Sequence, residues 1–172
     1  MKNWVVILVG AFFLLTACSD QSEDAASVKV AEEKTVGFEM MGGNVEEATN
    51  VPAKEKEKII AAFNEYIDSF NEKDIERYGE ILSKNAQGFN YEEDIEYAKE
   101  TFESYDIVRE ASDVTIVKYK ENEAQVFSNI ETVAKELASD VEHNKSGRQV
   151  TVFVKENGEW KVSSIYYIGN QE

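Results

Sequence analysis

The 172-residue chain has one cysteine, one histidine and one proline, and its basic residues are heavily outnumbered. A single cysteine cannot close an internal disulfide. A single histidine cannot build a histidine-rich metal site. A Ser-His-Asp or Cys-His hydrolase would have to use His143. That residue lies in "EHNKSGR", a polar stretch between strands that reads as a solvated loop. Lys and Arg number 18 against 34 Asp and Glu, a formal net charge of −16. A field of that sign repels nucleic acid and anionic headgroups, so no nucleic-acid partner is expected. Acidity of this kind keeps a domain soluble and apart from its neighbours. The acidic segments "SEDAA", "NEKDIE" and "YEEDIE" lack calcium-loop spacing. Gly42-Gly43 does not follow a strand as a phosphate loop would. No metal and no cofactor is expected.

The N-terminus reads "MKNWVVILVGAFFLLTACSD". Lys2 and the amino group make a short positive region, Trp4 to Leu15 an apolar one, and Thr16 and Ala17 are small residues before Cys18. This is the pattern of a secretory signal. The apolar run is shorter than the about 20 residues of a membrane span. By themselves these residues also fit an ordinary signal peptide with an incidental cysteine. Leu15-Thr16-Ala17-Cys18 resembles the lipobox of bacterial lipoproteins. That resemblance implies a signal peptide over 1–17, cleavage before Cys18 and a lipid on its sulfur. Two acyl chains, each buried methylene contributing about 0.8 kcal/mol, suffice for stable anchoring where one is marginal. The expected location is the extracytoplasmic face of the cell membrane, with Cys18 consumed by lipid and removed from redox or metal chemistry.

Residues 18–50 read as a flexible acidic tether. "SDQSEDAASVKVAEEKT" buries too little apolar surface to offset ordering. As a coil from Ser19 to Val51 it would span roughly 30 Å. Within it, Val36, Phe38 and Met40 alternate before Gly42-Gly43, so 36–41 reads as an added edge strand or an adhesive patch for a partner.

One domain is expected over 51–172. Pro52 suits a helix start. Ile59, Phe63, Tyr66 and Phe70, with Ile60 and Ile67, form one apolar stripe on a helix of about five turns. Asp74 caps a short second helix carrying Ile75, Tyr78, Ile81 and Leu82. Asn90 caps a third, with Glu93 placed as in a capping box and a stripe of Tyr91, Ile95, Ala98, Phe102 and Tyr105. The period then changes to that of strands: 106–120, bent near Ala111 to Asp113, then 123–136, 148–156 and 159–169. Glu121-Asn122 and Asn157-Gly158 read as hairpin turns. The expected fold is α+β, three N-terminal helices packed on a curved four-stranded antiparallel sheet.

Three stretches carry a family resemblance: "YIDSFNEKDIERY" from Tyr66, "VTIVKYKENEAQVF" from Val114 and "ENGEWKVSSIYY" from Glu156. Together they resemble the nuclear transport factor 2-like superfamily, the cystatin-like α+β cone, over about Pro52 to Gly169. The resemblance implies a sheet wrapped around the first helix and a pocket at the wide end. Enzymatic members typically place there an Asp-His pair, or Asp with Tyr or Arg. Such folds host enzymes, binding modules and dimerisation domains, so architecture alone supplies no function.

Candidate pocket residues are Tyr66, Tyr91, Phe102, Tyr105, Phe127, Asn129, Glu131, Trp160 and Tyr166. Phe127, Asn129 and Glu131 share a strand face. Asp113 and Glu131 are the strand carboxylates with any claim to chemistry, whereas Glu55, Glu57, Glu65, Glu72 and Glu76 lie off the apolar stripes and read as exposed. Tyr166 and Tyr167 point to opposite faces, one toward the core and one toward a sheet-mediated interface. The functional expectation is a membrane-anchored, non-catalytic binding module of the cell envelope. Its partner would be an envelope protein or a small apolar ligand, with a homodimer through the outer sheet face. The alternative is a small hydrolase or isomerase, which needs a buried carboxylate or tyrosine within hydrogen-bonding reach of another polar group.

Overall fold

The computed structural model describes residues 45–170. The expected signal segment 1–17, Cys18 and the alternating stretch 36–41 lie outside the described residues. Helix α1 spans Ala53–Asn71, α2 Ile75–Ile81 and α3 Tyr91–Ser104. Strands β1 (Tyr105–Lys120), β2 (Glu123–Glu136), β3 (Glu142–Glu156) and β4 (Glu159–Gly169) follow. They form one antiparallel sheet in sequence order. All three helices precede the sheet. α1 packs on β1 and β4, α2 against β4, and α3 against β1. No helix among the described residues is long and apolar enough to cross a membrane.

The helices form where periodicity and capping place them. Pro52 precedes α1 and its carbonyl accepts from Glu55 and Lys56 N–H at 2.9 Å. The stripe Ile59, Phe63, Tyr66 and Phe70 is buried along its length. α1 ends as Lys73 enters the left-handed region at φ 57°, and the Asp74 N–H donates back to the Ser69 carbonyl at 2.9 Å. Asp74 then caps α2, its carboxylate accepting from Arg77 N–H at 3.1 Å. Arg77 returns a two-pronged contact to Glu65 of α1, at 2.8 and 2.9 Å, which ties the two helices. Asn90 caps α3 by accepting from Glu93 N–H at 3.1 Å.

Strand parity decides what each sheet residue meets. Ala124, Val126 and Ile130 of β2 face the helices, as do Phe153 of β3 and Val162 of β4. The turn at Asn157-Gly158 has both residues at positive φ, 52° and 88°, the type I′ geometry that matches strand twist. β1 shifts register between Ser112 and Thr115, with Asp113 at φ 54°. This is the expected irregularity, and a bulge there bends the strand. β3 begins at Glu142, not at Arg148. His143 therefore belongs to a strand and pairs with Ala134, which corrects its reading as a loop residue. The polar run Glu142–Ser146 is exposed, so it lacks the apolar alternation that marks a strand in sequence; it is held by ladder hydrogen bonds to β2 and by polar contacts such as Asn170 to Ser146.

Both sheet edges are partly covered. On β1, Ala48 N–H donates to the Ile116 carbonyl at 2.8 Å, and Asn50 donates to the Tyr119 carbonyl at 3.3 Å. Asn71 exchanges two bonds with Arg109: its amide donates to the carbonyl at 2.9 Å and its oxygen accepts from the N–H at 2.8 Å. On β4, Ser83, Gln87 and Gly88 N–H groups donate to Val162 and Ser163 carbonyls at 2.8–3.0 Å. A Cβ at Gly88 would sit 2.7 Å from that of Ser164, so the loop approaches this closely only because the residue is glycine.

Candidate functional site

A cavity of ≈ 660 Å³ opens between the three helices and the inner sheet face toward the ends of β2 and β3. Its walls are apolar where Phe70, Ile107, Ile130 and Ile165 contribute. Among its polar lining residues, four from four elements form hydrogen-bonded pairs: Tyr66 of α1, Tyr78 of α2, Asp94 of α3 and Arg109 of β1. Tyr78 O–H donates to Asp94 Oδ2 at 2.9 Å. Arg109 Nη1 donates to Tyr66 Oη at 3.3 Å. The Arg109 guanidinium lies 3.7 Å from the centre of the Phe70 ring, a cation–π contact that fixes its plane. The Asn71 exchange pins the Arg109 backbone, so this long side chain starts from a fixed origin.

Burial is the main influence on Asp94 and raises its carboxyl above the usual range. The hydrogen bond from Tyr78 and the charge of Arg109 pull the other way. The Tyr78 phenol is pushed above its ordinary value, first by burial and then by the neighbouring Tyr66 and Asp94. It therefore stays protonated and acts as a donor. Because Tyr66 Oη already accepts from Arg109, its own proton is free to donate. The arrangement offers Tyr66 O–H and the remaining Arg109 N–H groups as donors, with one Asp94 oxygen not engaged by Tyr78. At the mouth stand Lys145, His143, Tyr97 and Tyr105. Among the described residues no cluster of three or more His, Cys, Asp or Glu side chains has metal-binding geometry.

Of the candidate pocket residues, Tyr66 and Tyr105 line the cavity. Phe102 packs edge-on against Phe70, 4.9 Å between centroids, and lies behind the wall. Tyr91 donates to the Gly79 carbonyl at 3.3 Å and joins α3 to α2. Phe127, Asn129 and Glu131 fall on the opposite sheet face, because the residues of β2 that meet the helices are the even-numbered ones. Phe127 pairs with Val150 in a small separate cluster. Asn129 donates to Asp113 Oδ2 at 2.7 Å. Glu131 is exposed.

Trp160 is distant from the cavity, in the core beside Tyr119. Its Nε1 donates to Glu55 at 3.0 Å, and the same oxygen accepts from Lys155 at 2.7 Å. Glu55 and Glu65 are thus half-buried partners and not free surface charges. Tyr166 and Tyr167 are 40% and 44% exposed, so neither is core. It is Tyr167, not Tyr166, that faces the cavity.

Tyr78, Asp94 and Arg109 escaped the sequence reading as site residues. Two of them carried a signal. Asp94 follows Tyr91 by three and precedes Ala98 by four, so a charge sits on the apolar face of α3. Arg109 lies in phase with Ile107 and Ala111 on the buried side of β1. A charge on a face otherwise given to the core marks a polar cavity.

The architecture is that of the nuclear transport factor 2-like fold. A protein of that superfamily from Salmonella enterica serovar Typhimurium superposes with a TM-score of 0.61 at 17% identity, covering 70% of this chain and 94% of that one. A ketosteroid isomerase-like protein from Erwinia carotovora atroseptica gives 0.58 at 20% identity, covering 70% and 100%. A putative scytalone dehydratase from Novosphingobium aromaticivorans gives 0.63 at 13% identity, covering 69% and 85%. Identities this low show the fold alone. In sequence, residues 61–168 match the family described as the C-terminal domain of the anti-sigma-I factor RsgI9, and the chain belongs to that family. A search of curated proteins gave no match.

Proposed function

We propose that this protein is a lipid-tethered, extracytoplasmic binding module whose ligand enters the cavity between α1, α3 and the sheet. The observation that carries the reading is the cavity itself, a space of ≈ 660 Å³ with apolar walls in part, into which Tyr66, Tyr78, Asp94 and Arg109 converge. That size and lining are typical of small-molecule sites. Membership of a family named for a domain of an anti-sigma factor favours binding and signalling over turnover. The lipobox-like Leu15-Thr16-Ala17-Cys18 supports the tether. The tether is tested by Cys18→Ala, which should release the processed chain or leave its signal uncleaved. Processed Cys18→Ala protein that stays on the membrane refutes lipidation as the anchor. The site is tested by mass spectrometry of small molecules retained through native purification. A large side chain placed in the cavity, Thr101→Trp, should abolish that retention. Unchanged retention would move the site elsewhere.

A second reading, a small hydrolase or isomerase, has one observation in its favour. The Tyr78–Asp94 hydrogen bond at 2.9 Å supplies a half-buried carboxyl beside a hydroxyl donor, the pair such chemistry needs. Turnover of a retained ligand that Asp94→Asn abolishes while binding persists would favour it. Persistent binding with no turnover favours the module.

A further inference from the structure

We propose that the cavity takes a flat apolar molecule ending in a carboxylate, with Arg109 holding the carboxylate. This rests on the cavity being a binding site. Arg109 is half-buried, stacked on Phe70, and its one side-chain hydrogen bond is to the neutral Tyr66. Among the described residues it forms no ion pair. Lys56, Lys73, Arg77, Lys135 and Lys155 do; Arg148 and Lys118 are also half-buried and unpaired, but of the three only Arg109 lines the cavity. In a chain where acids outnumber bases by 34 to 18, this half-buried guanidinium feels the charge of Asp94 across the cavity but touches no carboxylate, so its paired N–H groups stay open to one.

The donor geometry suits a carboxylate. A guanidinium presents paired N–H groups that match both oxygens of a carboxylate in a planar fork. Phe70 holds that plane, and Tyr66 O–H adds a third donor beside it. Lys145 at the mouth adds positive charge. The opposing groups are Asp94 inside and Glu136 at the rim. Asp94 already accepts from Tyr78, and Glu136 lies 3.6 Å from His143. The ligand's body is set by the walls: Ile107, Ile130 and Ile165 favour an apolar slab.

The test compares 2-naphthoate with 2-naphthamide, which have the same ring and differ in charge. Each is titrated calorimetrically into detergent-solubilised full-length protein at low salt. Naphthoate should bind about tenfold tighter or more, the margin of a charged hydrogen bond over a neutral one. Arg109→Gln should weaken naphthoate more than naphthamide and so close that margin; a margin that survives the substitution overturns the assignment to Arg109. Its fold is checked by circular dichroism; if it does not fold, the wild-type comparison decides alone. Naphthamide binding as tightly as naphthoate to the wild type overturns the carboxylate inference and leaves the binding site standing. Absence of binding by both probes overturns the inference and the binding reading together.

Discussion

Replacing Asn71 with alanine tests how the cavity is held together. Asn71 is the last residue of α1, and its amide meets the backbone of Arg109 on β1 as a neighbouring strand would, with bonds of 2.8 and 2.9 Å. Alanine leaves a strand N–H and a carbonyl without partners in a partly buried place. At about 1 kcal/mol for each net bond the loss is about 2 kcal/mol. Alanine recovers about 0.5 kcal/mol through its better helix propensity, leaving a net loss of about 1.5 kcal/mol. At about 4 °C per kcal/mol for a domain of this size, the Tm should fall by about 6 °C. Urea unfolding should show a lower midpoint with an unchanged slope. Asn71→Asp should be no better, because an oxygen would then face the Arg109 carbonyl. A Tm within about 1 °C of wild type for Asn71→Ala would show that water replaces the amide and that the bracket holds nothing.

Other substitutions probe the core and the site. Phe63 is 0% exposed, so Phe63→Ala should cost about 3–5 kcal/mol in urea unfolding; a loss under about 1 kcal/mol would contradict its central place. Ser128 is fully buried and its hydroxyl has no partner among the described residues. Ser128→Ala should be neutral or stabilising by up to about 1 kcal/mol, and a clear destabilisation would reveal a hydrogen bond to water. Burial raises the Asp94 carboxyl, so the folded state binds more protons than the unfolded one between the ordinary value and the raised one. Stability from this group is therefore lost as pH climbs through that window. Asp94→Asn should gain on the wild type over the same window. Tyr78→Phe removes a donor to the carboxylate and should push Asp94 higher still in a carbon-13 titration; a downward move would refute the bond's assigned role.

The elements were legible where pattern and burial coincide. β2 and β4 were bounded at Glu123–Glu136 and Glu159–Gly169, where the structure has them. Asp74 and Asn90 read as helix caps because their short side chains have few other uses before an apolar stripe. The cavity was less legible. Tyr66, Tyr78, Asp94 and Arg109 come from four different elements, and periodicity tells which face a residue takes but not which neighbours converge at one depth. Phe127, Asn129 and Glu131 were correctly grouped on one face, but the sequence could not say which face met the helices. That depended on the pairing partners and on the core positions Ala124, Val126 and Ile130. The first part of β3 was illegible for a different reason: it buries nothing that would leave a pattern.

The covered sheet edges have a bearing on assembly. Chains often join through edge strands, each adding to the other's ladder. Here β1 is already engaged at Arg109, Ile116 and Tyr119 by Asn71, Ala48 and Asn50, and β4 at Val162 and Ser163 by the loop before α3. A second polypeptide pairing along the full length of either edge would first have to displace the chain's own groups. That bias steers any protein partner toward contacts made by side chains, whose identity evolution can change one at a time, and away from backbone pairing, which discriminates poorly between one sequence and another.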